Sequence, residues 1–191
     1  MFIQTEATPN PATLKFLPGK SVLPGDPADF RKAEEAGGSP LASSLFEIPG
    51  VTGVFLGDDF ITVTKEERSE PGFEWTHLKP AILGAIMEHY ASGRPVIEDE
   101  SQVTSEGEEF FEEADGQIVS TIKELLETRV RPAVSQDGGD ITFRGYRDGT
   151  VFLNMKGACA VCPSSTATLK HGIQNLLRHF VPEVQQVEQV A

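Results

Sequence analysis

The chain has 191 residues, of which 39% are hydrophobic, and its 16 basic and 29 acidic residues give a net charge of −13. At about 100–200 residues per domain, this length allows one large domain or two small ones. No apolar run approaches the ~18 residues that a membrane span requires, and Lys and Arg are not clustered as phosphate contacts demand, so we expect neither a membrane nor a nucleic-acid partner.

The negative charge is concentrated in one stretch. Residues 93–113, GRPVIEDESQVTSEGEEFFEE, carry a net charge of −7, compared with −6 for residues 1–92 and 0 for residues 114–191. The stretch lacks sustained apolar periodicity, so it predicts a solvated acidic linker between two small α+β domains. An acidic docking tail for a basic partner is the alternative. Phe110 and Phe111 are the exceptions, because they could begin the packing of the second domain.

The first domain, residues 1–92, begins with strand signals. Residues 2–6 and 14–17 are β-rich runs separated by TPNP, whose prolines favour a turn. Residues 18–39 are punctuated by Pro and Gly and predict a long loop or a partly helical excursion. A short helix is expected from Pro40, with Ser39 as N-cap. Its predicted buried residues are Leu41, Leu45 and Ile48.

A hairpin and a longer helix complete the first domain. Residues 51–56 and 60–65 are β-rich runs joined by Gly-Asp-Asp, which suits a hairpin. From Trp75 to Gly93, apolar residues recur at helical spacing. His77 and His89 lie twelve residues apart on this helix, too far to share one ion. We interpret them as ordinary helix residues, and the domain as a binding or regulatory module.

The second domain, residues 114–191, predicts the order α-β-β-α-β. An apolar stripe from Ile118 to Val130 indicates a helix that should stop or kink near Pro132. Alternating patterns over residues 141–146 and 150–155, joined by Arg-Asp-Gly, predict a hairpin. A second amphipathic helix follows Pro163 and ends before Pro182, and EVQQVEQV is expected to add a last strand.

The only two cysteines of the chain, Cys159 and Cys162, fall in GACAVCPSS between the last hairpin strand and this second helix. Two cysteines do not make a disulfide framework, so the pair indicates metal binding or redox chemistry in a reducing compartment. The free amides and dipole of a helix start favour thiolate over thiol. Reactive or ligating sulfurs are therefore expected.

Four interpretations of the pair are open. Two buried structural cysteines would be unusual in a loop. A structural zinc ion needs four ligands, and His171 and His179 lie about 12 Å apart on one helix, so both cannot join one tetrahedron. Thioredoxin-like dithiol exchange also uses Cys-x-x-Cys at a helix start. Against exchange, no aromatic residue precedes Cys159, and the α-β-β-α-β order lacks the expected βαβ unit.

The fourth interpretation is an iron–sulfur cluster shared between two chains. Such clusters are usually held by four thiolates, and a symmetric dimer would supply two from each chain. A bridged cluster lies at a subunit edge and can leave by ligand exchange with an acceptor.

Two long stretches resemble a known family. RPAVSQDGGDITF and MKGACAVCPSSTATLKHGIQNLL resemble the C-terminal domain of NifU-like proteins, while MFIQTEATPNPATLKFLPG, GVTGVFLGDDFITVTK and WTHLKPAILGAIMEHY resemble the N-terminal domain of Nfu-type iron–sulfur scaffold and carrier proteins. Together they cover nearly the whole chain except residues 93–113. The match includes the paired cysteines, the Pro-Ser-Ser after them and the upstream Asp137-Gly138-Gly139.

The resemblance implies a carrier without enzymatic activity. It would accept a cluster, usually [4Fe–4S] with [2Fe–2S] as the alternative, from upstream assembly machinery and deliver it to apo-proteins. Cys159 and Cys162 match the family's ligands, and residues 137–139 are expected to shape the backbone beside them, with Asp137 structural rather than ligating. Cluster binding implies a homodimer. With no leader recognisable, the expected location is the bacterial cytoplasm, or the mitochondrial matrix for a processed eukaryotic form.

Overall fold

The computed structural model of the chain describes residues 1–67, 73–103, 107–161 and 163–190, without the side chains of residues 102, 161 and 163–165. It divides the chain into two compact units, Met1–Ser105 and Glu106–Ala191. Each unit has its own sheet and its own hydrophobic core. The predicted α+β class with two domains is therefore confirmed. In the described part of the chain, no helix is long and apolar enough to cross a membrane.

The first unit is built on a five-stranded sheet with the order β1-β2-β5-β4-β3, in which all neighbours are antiparallel. The strands are β1 (Gln4–Ala7), β2 (Thr13–Leu17), β3 (Ala28–Phe30), β4 (Val51–Leu56) and β5 (Ile61–Lys65). Four of them lie within two residues of the predicted runs. β3 was not predicted, because three residues at the sheet edge are too short to show an alternating pattern.

Two α-helices cover this sheet. The predicted short helix is α1 (Pro40–Phe46), and the Ala42 N–H donates to Ser39 Oγ at 3.2 Å, which confirms the N-cap. Ile48 lies beyond the end of α1 and is only partly buried, unlike Leu41 and Leu45. The longer helix is α2 (Trp75–Ser92), which ends at Gly93 as expected.

The first core joins one face of the sheet to the two helices. Its fully buried strand residues include Phe16, Phe30, Leu56 and Ile61, and its helix residues include Leu41, Leu45, Ile82 and Ile86. Burying a side chain of this size contributes about 1.5–3 kcal/mol. The apolar residues that alternate in the strands and those that recur at helical spacing in α2 therefore pack into the same core, as the sequence predicted.

The second unit has the predicted α-β-β-α-β order. Its elements are α3 (Gly116–Leu125), a π-helical turn (Leu126–Val130), α4 (Arg131–Gln136), β6 (Gly139–Arg147), β7 (Thr150–Gly157), α5 (Ala158–Val161), α6 (Pro163–Phe180) and β8 (Gln186–Val190). Sequence analysis expected this helix to stop or kink near Pro132. It does not stop there, because the chain stays helical to Gln136, but the α-helix is interrupted by the π-helical turn directly before Arg131 and Pro132. Proline lacks the N–H that an α-helical bond requires, and a π-helical turn directly before it accommodates that loss.

The β6–β7 hairpin and β8 form a three-stranded sheet in the order β6-β7-β8. The hairpin turn places Asp148 at φ +49° and Gly149 at φ +78°, the left-handed pair typical of a two-residue hairpin. Val151, Leu153 and Met155 alternate into the second core as predicted.

β8 runs parallel to β7. The cysteine segment therefore lies within a β-α-β connection, and the sequence-based objection that such a unit is lacking is wrong. The predicted order of elements was right, but order alone does not reveal strand direction.

Parts of residues 93–113 pack against the two units. Val96, Ile97 and Val103 lie against the first core, and Ser39 Oγ donates to the Val96 carbonyl at 2.7 Å. In the second unit, Phe110 forms a parallel bridge with Gly145 beside β6. The domain limits 1–92, 93–113 and 114–191 stay predictions, but these ends of the acidic stretch are ordered by apolar contacts.

Candidate functional site

Cys159 lies in α5, the single helical turn that follows β7. Sequence analysis placed it in a loop. In the structure, Cys159 lies in a helical turn, is 6% exposed and belongs to the second hydrophobic core. The predicted partner ligand, Cys162, lies outside the described residues, so the proposed pairing of the two sulfurs stays a prediction.

The backbone takes a left-handed conformation just before Cys159. Gly157, the last residue of β7, has φ +65°, a left-handed conformation that side chains disfavour. The following Ala158 N–H donates to the Gly138 carbonyl at 3.2 Å. This hydrogen bond attaches the cysteine turn, residues 157–161, to the Asp-Gly-Gly segment.

Gly139 lies directly beside the Cys159 side chain. A Cβ atom built on Gly139 would lie 2.9 Å from Cys159 Sγ and 2.7 Å from the Lys156 carbonyl oxygen, both too close for real contacts. Only glycine therefore fits between the start of β6 and the cysteine turn. The expectation that these glycines shape the backbone beside Cys159 is confirmed.

The other side of the cysteine turn is attached to α6. Thr166 Oγ1 donates to the Cys159 carbonyl oxygen at 2.7 Å. The turn thus has a hydrogen bond to Gly138 on the β6 side and another to Thr166 on the α6 side. Sequence analysis missed Thr166, because a threonine inside an amphipathic helix gives no signal of a bond to another element.

A partly buried ion pair lies next to Gly139. Arg131 donates from Nε to Asp140 Oδ1 at 2.8 Å and from Nη2 to Asp140 Oδ2 at 2.9 Å, while Nη1 contacts Glu127 Oε1 at 2.6 Å. The hydrogen bonds to Asp140 raise the pKa of Arg131 further above its ordinary value, against the effect of burial. The guanidinium is therefore charged at every accessible pH.

Sequence analysis also missed this pair. Both residues stand in RPAVSQDGGDITF, nine positions apart, and that spacing alone does not show that α4 and β6 bring them together. Asp140 is 4% exposed, and carboxylates that are this buried normally have a partner. Lys156, 8% exposed, stands opposite Asp140 in the β6–β7 register.

His89 is another buried titratable group, in the first unit. It is 6% exposed in α2, and its Nε2 has no hydrogen-bond partner among the described residues. Burial lowers its pKa, and so does the nearby charge of Arg94, while Glu98 opposes them. His77, by contrast, is exposed on the same helix, so the two histidines differ although the sequence treated them alike.

Clusters of three or more His, Cys, Asp or Glu side chains able to hold a metal ion do not occur among the described residues, which leave out Cys162. In the described part of the cysteine turn, the candidate metal ligand is the Cys159 sulfur. Thiolate sulfur is the usual ligand of iron–sulfur clusters, so its chemistry fits the group that the family resemblance implies.

Comparisons with known proteins agree with the sequence motifs. The model of the Nfu/NifU N-terminal scaffold domain matches residues 3–93, and that of the NifU-like domain matches residues 122–188. The human protein named NFU1 iron–sulfur cluster scaffold homolog, mitochondrial, is 52% identical over 190 residues, which are 100% of this chain and 72% of that protein. The chain belongs to the Nfu/NifU scaffold family.

Other members of the Nfu/NifU scaffold family show similar identity. The NFU1 homolog of Drosophila ananassae is 51% identical, and the chain spans 64% of its length. NifU-like protein 4, mitochondrial, of Arabidopsis thaliana is also 51% identical, with 66% of its length spanned. Among solved structures, the NMR structure of a NifU-like protein from Saccharomyces cerevisiae gives a TM-score of 0.44 at 32% identity, covering 51% of this chain and 84% of that one.

Proposed function

We propose that this chain is an iron–sulfur cluster scaffold and carrier that uses Cys159 and Cys162 as ligands. The observation that carries the proposal is the 52% identity, along the whole chain, to a human protein whose name describes a scaffold for such clusters. The setting of Cys159 supports it, because the Gly139 backbone is shaped to accommodate that sulfur. We propose [4Fe–4S] as the cargo, with [2Fe–2S] as the alternative.

Two thiolates per chain are half of the usual set of four. We therefore propose that two copies of the chain share one cluster, as in a symmetric dimer that contributes the same residues from both sides. Such a cluster can leave when an acceptor's thiolates replace those of the carrier. The proposed partners are the upstream assembly machinery and apo iron–sulfur proteins, and no residue is proposed to be catalytic.

Cluster binding requires the cysteine turn to open. Cys159 is 6% exposed, so its sulfur cannot bridge to iron shared with another chain in the closed position. The turn α5 has only four residues and is attached by the Ala158 and Thr166 hydrogen bonds. We propose that the turn opens locally while the rest of the unit stays folded, at the cost of these hydrogen bonds, about 0.5–1.5 kcal/mol each, and of the burial of Cys159 in the second core.

The names of the human and Arabidopsis relatives place those proteins in mitochondria. For this chain we propose the mitochondrial matrix if it is eukaryotic, and the cytoplasm if it is bacterial.

The deciding experiment measures iron, sulfide and molar mass on one sample reconstituted without oxygen. We expect about four irons and four sulfides per two chains, in a species of twice the chain mass. Cys159→Ser and Cys162→Ser should each abolish the cluster. Ala160→Ser is the matched control, because it alters the same turn and keeps both thiols. A colourless monomer, or one zinc per chain, would contradict the proposal.

Dithiol exchange is the second candidate, and the β-α-β connection around Cys159 favours it. A reductant of this kind would catalyse insulin reduction and titrate with a shifted thiolate pKa. The carrier should not reduce insulin faster than a small dithiol does. Insulin turnover that both cysteine variants abolish, without cluster binding, would establish this alternative.

A further inference from the structure

We infer that Arg131 is a positioning residue for Cys159, acting through Asp140 and Gly139. The inference deepens the proposed function and rests on it, since Cys159 is a proposed cluster ligand. Neither Arg131 nor Asp140 needs to touch the cluster in this role. Their task is to hold the start of β6 where the cysteine turn packs against it.

The Arg131–Asp140 pair is bidentate. Two donors of the Arg131 guanidinium meet the two oxygens of Asp140 at 2.8 and 2.9 Å, so both the distance and the orientation of the carboxylate are set. The Asp140 side chain is 5% exposed, compared with 26% for Arg131, so solvent screens this pair weakly. A lysine at position 131 would keep the positive charge but lacks the planar guanidinium that binds both carboxylate oxygens at once.

Fixing Asp140 also fixes the backbone that lies beside Cys159. Asp140 is covalently next to Gly139, whose Cα faces the Cys159 sulfur so closely that no side chain fits. One residue earlier, the Gly138 carbonyl accepts the Ala158 N–H. A shift of Asp140 therefore disturbs these two contacts between the β6 side and the cysteine turn.

The consequence concerns the opening of the turn. If the Arg131–Asp140 pair holds residues 138–140 in place, breaking it should increase the population in which the turn has opened and the sulfur is accessible. A residue that only contributes to overall stability would instead increase global unfolding, which exposes every part of the unit together.

The test uses the full chain without cluster, in a Cys162→Ser background so that Cys159 is the only thiol. We expect Arg131→Lys to increase the rate of Cys159 alkylation by iodoacetamide about tenfold or more, because a charge-assisted hydrogen bond is lost. The matched control is Arg129→Lys, an exposed position two residues away that stacks its guanidinium on the Phe180 ring at 5.0 Å.

Amide hydrogen exchange separates positioning from general destabilisation. In Arg131→Lys, the Ala158 amide should exchange faster, while amides of Ile122 and Leu153 in the core keep their wild-type protection. Asp140→Asn should have the same effect, and the double variant should add little to either single change, as expected for one shared interaction.

Unchanged alkylation and Ala158 exchange in Arg131→Lys would overturn the inference, as would an equal increase in Arg129→Lys or a uniform loss of core protection. These readouts need no cluster, so they are distinct from the test of the proposed function. If the wild-type chain binds no cluster while Arg131→Lys still accelerates alkylation, the carrier proposal fails and the positioning of Cys159 stands.

Discussion

Gly139 limits how closely the backbone and Cys159 can pack. In Gly139→Ala, the new methyl group would meet the Lys156 carbonyl and the Cys159 sulfur below 3 Å, and the carbonyl belongs to a paired strand that cannot easily move. We expect a loss of about 1–3 kcal/mol in the stability of the second unit. Cluster yield in anaerobic reconstitution should also fall. Chemical denaturation followed by circular dichroism checks the first expectation.

The control for this substitution is Gly172→Ala in α6. A Cβ at Gly172 meets no atom within 4 Å. Alanine in a helix interior is favoured over glycine by roughly 0.5–1 kcal/mol, so this variant should be slightly more stable than wild type. If both alanine variants behaved alike, close packing at Gly139 would not be the cause.

His89 gives the first unit a pH-dependent stability. Because burial lowers its pKa in the folded state, the unfolded chain binds more protons below its ordinary value of 6.5. Stability should therefore be complete above about pH 6.5 and decline as the pH falls towards the lowered value. Denaturant unfolding monitored by Trp75 fluorescence at pH 7.5 and 5.5 measures this decline.

The comparison variants for the pH prediction are His89→Gln and His77→Gln. Only the first removes the buried imidazole, so the additional loss of stability at pH 5.5 should shrink in His89→Gln and persist in His77→Gln. An unchanged pH dependence in His89→Gln would assign the effect to other groups.

At the scale of elements, the Phe110 bridge extends the edge of the second sheet. Its N–H donates to the Arg144 carbonyl at 3.1 Å, and its carbonyl accepts the Tyr146 N–H at 2.9 Å. The Phe110 ring lies 5.1 Å from the Phe152 ring, and a side chain at Gly145 would collide with it. The segment thus covers backbone groups that an exposed edge strand would present to other chains.

Phe110→Ala tests this arrangement. We expect a loss of about 1–2 kcal/mol in the stability of the second unit, from reduced apolar burial and the lost ring pair. Phe111→Ala is the control, because Phe111 is similarly exposed, 42% against 36% for Phe110, but it is Phe110 that forms the bridge with Gly145 and the ring contact with Phe152. Thermal unfolding of the two variants measures their losses of stability. Equal losses would argue against a specific role of the bridge.

Long and regular elements could be predicted from the sequence, whereas short or packing-dependent ones could not. The β6–β7 hairpin was predictable because Ile141 and Val151 begin clear alternating patterns on either side of an Asp-Gly turn. Ser39 before Pro40 is a complete local signal for a helix start. β3 and the π-helical turn were missed, since the first is too short for periodicity and the second depends on packing around Pro132.

The candidate site was predictable only in part, for a related reason. The Cys-x-x-Cys spacing and the Asp-Gly-Gly segment are local patterns, so both were recognised. The depth of Cys159 and the Arg131–Asp140 pair depend on how α4, β6 and α5 pack together, and no local spacing encodes that. The burial of His89 was not predicted, because it depends on which side of α2 faces the sheet.

At the scale of the whole molecule, each hydrophobic core takes all its residues from one unit. We therefore expect two separable unfolding transitions. Trp75, the single tryptophan, packs against the first core and donates to the Pro11 carbonyl at 3.1 Å, so its fluorescence reports on that unit.

A pair of matched core substitutions checks this expectation. Ile122→Ala in the second core should lower the stability of that unit by about 2–5 kcal/mol and leave the Trp75 transition in place. Ile82→Ala in the first core should shift the Trp75 transition by a similar energy. Both residues are fully buried helical isoleucines, so size and helix propensity are the same in the two tests. A shift of the Trp75 signal in Ile122→Ala would show that the units unfold as one.

The burial of Cys159 has a consequence for the empty protein. A thiolate that water and peroxide rarely reach is oxidised slowly, because sulfenic acid formation depends on exposure. At 6% exposure, damage to this sulfur is proportional to the fraction of time that the turn stands open. The closed turn therefore slows the oxidation of Cys159, and every substitution that loosens the turn should shorten the time for which this thiol stays reduced in air.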